Sequence, residues 1–159
     1  MRFLIAAFAL LAATGPGLAQ TDITLGGISA DPGDPVEVSA DSLSVDQDTG
    51  LAVFTGNVVV GQGDLRLSAG QVTVRYDEAT GDITTLDISG GVTFVTATEE
   101  AEADSATYDI SGGVLVLTGN VLLSQGASAT SADRMRVDLE SGAAQMDGNV
   151  RVIFNQGDQ

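Results

Sequence analysis

From residue 36 onward, apolar and polar side chains alternate with a period of two in runs broken by turn-forming residues. Leu43 and Val45, Val72 and Val74, Ala106 and Tyr108, and Met135 and Val137 are the apolar members of four such runs. The residues between and beside them are polar: Ser42 and Ser44, Gln71 and Thr73, Ser105 and Thr107, Arg134 and Arg136. A second set brackets a glycine at the same parity: Phe54 and Val58, Ile88 and Val92, Leu117 and Val121, Met146 and Val150. Side chains two apart on a strand share a face, so the pattern predicts strands with one side in a core and the other in water. Asp48-Thr49-Gly50, Gly61-Gln62-Gly63-Asp64, Ala79-Thr80-Gly81-Asp82, Ser111-Gly112-Gly113 and Ser141-Gly142 separate the runs with turn chemistry, which predicts antiparallel neighbours. No stretch after the leader has comparable helical periodicity.

The runs belong to a repeat written in two alternating signatures. Ala40-Asp41, Ala69-Gly70, Ala103-Asp104 and Ala132-Asp133 alternate with Gly56-Asn57-Val58, Gly90-Gly91-Val92, Gly119-Asn120-Val121 and Gly148-Asn149-Val150. From Asp41 to Gly56, Asp104 to Gly119 and Asp133 to Gly148 the spacing is 15, whereas Gly70 to Gly90 spans 20, an insertion of five around Glu78 to Asp82. The recurrent glycine falls at the inward parity in mid-strand, where it weakens a ladder unless a bend, a bulge or a close backbone approach requires it. A single sheet would leave the apolar face wet. Two facing sheets cover it, in a jelly-roll-like sandwich or an elongated β-solenoid, and either leaves unpaired strand edges at the ends.

The first residues have a different character. Met1-Arg2, an apolar run over residues 3–13, the breaker Gly15-Pro16-Gly17 and the small-x-small site Gly17-Leu18-Ala19 together predict a signal peptide of residues 1–19, cut after Ala19. An uncleaved anchor is the alternative, but the run of 11 falls short of the about 20 that a span needs. The expectation is an exported, soluble, periplasmic chain: linker 20–35, β domain 36–154 and tail 155–159. With 22 acidic residues against 6 basic ones, all Arg, the net charge is −16, which argues against a nucleic-acid partner. The absence of His and Cys removes the usual general base, thiol nucleophile and zinc ligands, and with them disulfides. The acids form no calcium loop, and no Lys is present for a nucleotide-binding loop, so no cofactor and no metal are expected and an enzyme is disfavoured. Glu99-Glu100 with Glu102 and Asp104 reads as a solvated loop.

The run Val36, Glu37, Val38, Ser39, Ala40, Asp41, the segment from Phe54 to Val58 with Gln62-Gly63, and the segment from Leu117 to Val121 with Gln125-Gly126 resemble the OstA-like family of lipopolysaccharide export proteins, over residues 36–154. That resemblance implies an all-β, open and twisted β-jelly roll, a solenoid-like repeat of short antiparallel strands whose interior is a greasy trough. In the family, lipopolysaccharide acyl chains lie in the trough with the sugars in water, and domains stack head to tail through strand edges to bridge the two membranes. The implied partners are an inner-membrane LptC-like component and an outer-membrane LptD-like component. The lipid-facing candidates are Val36, Val38, Phe54 and Val58 at the start. Val72, Val74, Ile88, Val92 and Phe94 follow in mid-chain, then Tyr108, Leu117, Val121, Met135 and Val137. Thr93 and Thr118 fall on the opposite parity and are expected in solvent. This chain departs from the family in having no Lys and in reading Gly90-Gly91. Arg66, Arg75, Arg134 and Arg136 are the mid-chain cations available to a lipid phosphate, and the last two count as outward. The competing reading is a structural or adhesive exported β-repeat protein, whose closed core uses the same alternation.

Overall fold

The computed structural model describes residues 22–24, by backbone, and 33–155. Twelve strands run through them: β1 (Asp22–Thr24), β2 (Glu37–Ser39), β3 (Ser42–Asp46), β4 (Leu51–Gln62), β5 (Leu65–Tyr76), β6 (Ile83–Val95), β7 (Glu99–Ala103), β8 (Ser105–Asp109), β9 (Val114–Gln125), β10 (Ser128–Asp138), β11 (Ala143–Asp147) and β12 (Arg151–Phe154). All pairings are antiparallel and link the strands into one sheet that folds on itself. The strands are longer than the expected short ones, because β4, β5, β6, β9 and β10 pass through a bend and serve two layers. Register shifts mark the bends, between Thr55 and Val58, between Ala69 and Gln71, and between Ala132 and Arg134.

On one side of the bends lies a first layer of β2, residues 58–62, 65–69 and 92–95, β7, residues 121–125 and 128–132, and β12. On the other lies a second layer of β3, residues 51–55, 71–76 and 83–89, β8, residues 114–118 and 134–138, β11 and β1. This is the two-layer, jelly-roll-like solution to the apolar face. Across the second layer the register aligns Leu43, Phe54, Val72, Ile88, Ala106, Leu117, Met135 and Met146 in one row. Across the first layer it aligns Val38, Val60, Leu67, Phe94, Ala101, Leu123, Thr130 and Val152. Period-two alternation within each strand thus becomes two continuous rows across the roll, apolar but for Thr130.

Several expectations change. Glu99 to Ala103 is a strand rather than a solvated loop: Ala101 and Ala103 face the core, and Glu99 itself is buried. Leu43, Val45 and Val150, at the inward parity, are 55%, 59% and 40% exposed. Leu43 and Val45 stand on β3, which among the described residues has a neighbour on one side only, β4. Within the stretch read as linker, Asp22–Thr24 pairs with β11, because that strand otherwise presents a free edge. The proposed leader and residues 156–159 of the tail lie outside the described residues.

Candidate functional site: the interior face and its corners

The bends are built from the two repeated signatures together. At Asp41, Asp104 and Asp133 the backbone N–H donates to the carbonyl of Gly56, Gly119 and Gly148, at 2.9, 2.9 and 2.8 Å. The Asn after each glycine sits at φ 47° and donates its Nδ2–H to the same aspartate's Oδ2, at 2.9, 2.9 and 2.8 Å. The left-handed φ turns the chain, and Asn is among the few non-glycine residues that adopt it at modest cost. Glycine is required beside it, since a Cβ on Gly119, at φ +84°, would lie 2.5 Å from Asp104 Oδ2. In the second unit both partners change together. Gly70 stands where the others have Asp and Gly91 where they have Asn, and a Cβ on Gly70 would meet the carbonyl oxygen of Gly90 at 3.1 Å. That corner is a close backbone approach instead of a side-chain clamp.

A second acidic set caps the turns at the far ends of the second layer. Asp46 accepts from the N–H of Asp48 and Thr49, Asp77 from Ala79 and Thr80, Asp109 from Gly112, and Asp138 from Glu140 and Ser141. The Ser141 amide foremost, and that of Glu140, hold the Asp138 carboxyl below its ordinary range. Seven aspartates therefore work as corner clamps or turn caps, which accounts for a good part of the acidity. Another, Asp87, pairs with Arg75 at 2.9 Å on the surface.

The corners set two apolar faces against each other. Of the expected interior residues, Val58, Val72, Val74, Ile88, Val92, Phe94, Tyr108, Leu117, Val121, Met135 and Val137 are buried in one cluster. Val36, Val38 and Phe54, at the β2 and β3 end, are half-buried against it. Leu65, Leu67, Leu86, Leu115 and Leu123 are among the further members of the face, and the same count of parity, extended along each strand, finds them. Thr93 is half-buried and Thr118 exposed, and Arg66, Arg75, Arg134 and Arg136 are all exposed.

Sequence reasoning missed the polar members of the interior: Gln62, Glu99 and Thr130 are 1%, 7% and 5% exposed. Glu99 accepts from the hydroxyl of Thr96 at 2.9 Å. Gln62 accepts from the hydroxyl of Tyr108 in the facing layer and donates to the carbonyl of Asp34 at 3.0 Å. Burial foremost, and the Asp109 carboxylate beside it, raise the Tyr108 phenol above its ordinary range, so it remains a donor. Among the described residues no group of three or more acids could hold a metal ion.

Comparison with known proteins agrees with this architecture. The family model for the LptA/(LptD N-terminal domain) LPS transport protein matches residues 37–143. An uncharacterized protein of Rhizobium meliloti is 29% identical over 139 residues, 82% of this chain and 75% of that one. The lipopolysaccharide export system protein LptH of Pseudomonas aeruginosa is 38% identical over 76 residues, 48% of this chain and 39% of LptH. LptA of Escherichia coli K12 is 35% identical over 71 residues, 45% of this chain and 34% of LptA. The aligned stretch thus spans well under half the length of either export protein. The crystal structure of LptH, described as the LptA-homologous periplasmic component of the lipopolysaccharide transport device, superposes with a TM-score of 0.70 at 19% identity, over 80% of this chain and 99% of that one, which establishes the shared fold. A family model spanning most of the β domain means that the chain belongs to the LptA/LptD N-terminal domain family of LPS transport proteins.

Proposed function

We propose that this protein is a non-enzymatic periplasmic carrier that holds the acyl chains of lipopolysaccharide between its two layers and passes them along a bridge between the inner and outer membranes. The observation that carries this reading is the pair of inward rows, apolar but for Thr130, which surface at opposite ends of the roll, the second-layer row at the β3 edge and the first-layer row at the β12 edge. Leu43 and Val45 emerge at the β3 edge, and Val152 and Phe154, the latter 75% exposed, at the β12 edge. A second copy, or a related domain of an LptC-like or LptD-like partner, set edge to edge there would extend the rows from one domain into the next.

Burying a methylene is worth about 0.8 kcal/mol, so a twelve-carbon chain inserted between the layers gains roughly 9 kcal/mol before the cost of parting them. Binding on that scale needs no cation. This suits a chain whose mid-chain arginines all point outward. Because successive sites are nearly alike, lipid can slide between them, and the direction must come from an energy source elsewhere. The candidates Val36, Val38, Phe54 and Phe94 are the expected acyl contacts. Native mass spectrometry of the protein released from the periplasm of a lipopolysaccharide-producing cell tests the reading. A bound acylated glycolipid is the expected result, and a protein free of lipid under conditions that preserve a known carrier's complex sends the interior back to being a closed structural core.

A further inference from the structure

Gln62 is an interior polar residue whose side chain reaches the other layer. It lies at the end of β4, in the first layer, six residues beyond Gly56, while Tyr108 lies in β8, in the second layer, four residues beyond Asp104. Both are 1% exposed, and the Tyr108 hydroxyl donates to Gln62 Oε1. Their ladder neighbours are leucines: Leu65 beside Gln62, and Leu86 and Leu115 beside Tyr108. A hydrogen bond thus joins the two layers away from the corners, with leucines on the adjoining strands.

Two apolar side chains of the same size would close the layers as well and would carry no desolvation cost. A polar pair is harder to explain in an interior that must part to admit hydrocarbon, because parting the layers separates a donor from its acceptor in a place poor in water. The molecule that parts them must then replace both partners. An acylated sugar brings the right groups to a fixed place, since each of its chains ends in an ester or amide carbonyl, often with a hydroxyl nearby, next to a long apolar stretch.

We propose that Gln62 and Tyr108 form a hydrogen-bonding subsite for the carbonyl-bearing linkage between acyl chain and sugar. The two residues satisfy each other while the layers touch and turn to the linkage once the chains lie between them. This rests on the carrier reading and adds to it a preference for ester- or amide-linked chains over plain hydrocarbon. Tyr108 is the donor to the carbonyl, and the Gln62 carboxamide, still held to the Asp34 carbonyl, accepts from a hydroxyl.

The test compares wild type with Tyr108→Phe and with the double variant Gln62→Leu, Tyr108→Phe, which retains the bulk of the core and removes both polar groups. Two probes are titrated: an acylated glucosamine disaccharide of the lipid A type, with ester- and amide-linked chains, and a fluorophore-tagged dodecyl hydrocarbon with no carbonyl beside the chain. The double variant is expected to bind the acylated disaccharide about tenfold more weakly and the hydrocarbon as well as wild type or better, with Tyr108→Phe intermediate. Unchanged affinity for the disaccharide, or an equal loss for both probes, overturns the subsite and leaves the carrier reading intact. A wild-type protein that binds neither probe overturns the carrier reading and the subsite with it.

Discussion

Replacing Gly119 by Ala tests the corner mechanism. Gly119 has φ +84°, and a Cβ there would lie 2.5 Å from Asp104 Oδ2 and 3.0 Å from Asp104 Cβ. Holding an L-residue in the left-handed region costs roughly 1–2 kcal/mol. The carboxylate must also swing away, which breaks its bond from Asn120 Nδ2 and forfeits about 1 kcal/mol more. The expected loss is about 2–3 kcal/mol, a large share of the roughly 5–15 kcal/mol that holds a domain folded. Gly91→Ala is the matched control. Its φ of +80° is nearly the same, but nothing lies within 4 Å of the added Cβ, so only the backbone cost of roughly 1–2 kcal/mol applies. Urea unfolding followed by far-UV circular dichroism should show both midpoints lowered with the slope unchanged, Gly119→Ala the lower by about 1 kcal/mol. Equal midpoints for the two variants, or a Gly119→Ala midpoint at the wild-type value, would refute the clamp as a source of stability.

Leu43→Asp places a charge on the β3 edge at a side chain already 55% exposed, so monomer stability should change by less than about 0.5 kcal/mol, while the edge-to-edge stacking proposed above should weaken at least tenfold. Sedimentation velocity over a concentration series reads this, and unchanged association would move the contact away from that edge. The pH dependence has two arms. Tyr108 has a folded pKa above its ordinary 10.0, so stability is intact below pH 10 and falls as pH rises beyond it, where only the unfolded chain ionises. Asp138 has a folded pKa below its ordinary 3.8, so its contribution is present above that value and fades as pH falls through and below it. Denaturant midpoints from pH 9 to 11 for wild type and Tyr108→Phe check the first arm, and the variant should lack the alkaline decline that is due to Tyr108. Midpoints from pH 2.5 to 5 with Asp138→Asn check the second, and an unaltered acid limb would remove Asp138 from the account.

The side of each strand that faces the core was legible in the sequence because alternation is a local property: Val72 and Val74, or Met135 and Val137, need no partner to reveal their parity. Whether another strand covers that side is not local. Leu43 and Val45 carry the same pattern as Val72 and Val74, yet they stand exposed on β3. The Ala-Asp and Gly-Asn-Val signatures were visible as markers, but their union is a contact between residues 16 apart, formed only when the long strand bends. The concerted change to Gly70 and Gly91 is the trace of it that a sequence can show. β7 was hidden because Glu99, Glu100 and Glu102 outweigh the two alanines between and after them, although Ala101 and Ala103 are buried. Gln62 continues the parity of Val58 and Val60, so its inward direction could have been read, but its partner Tyr108 lies 46 residues on, in another layer.

The central claim is that the interior parts to admit lipid. A photo-crosslinking residue at Phe94, fully buried on the inward face, and another at Thr93, its outward neighbour, put that claim to the most direct test in a lipopolysaccharide-producing cell. The account predicts lipopolysaccharide adducts at Phe94 and none at Thr93. Folded protein with no adduct at Phe94 or at Val38, or with equal adducts at Phe94 and Thr93, would contradict it and leave the two layers as a closed core.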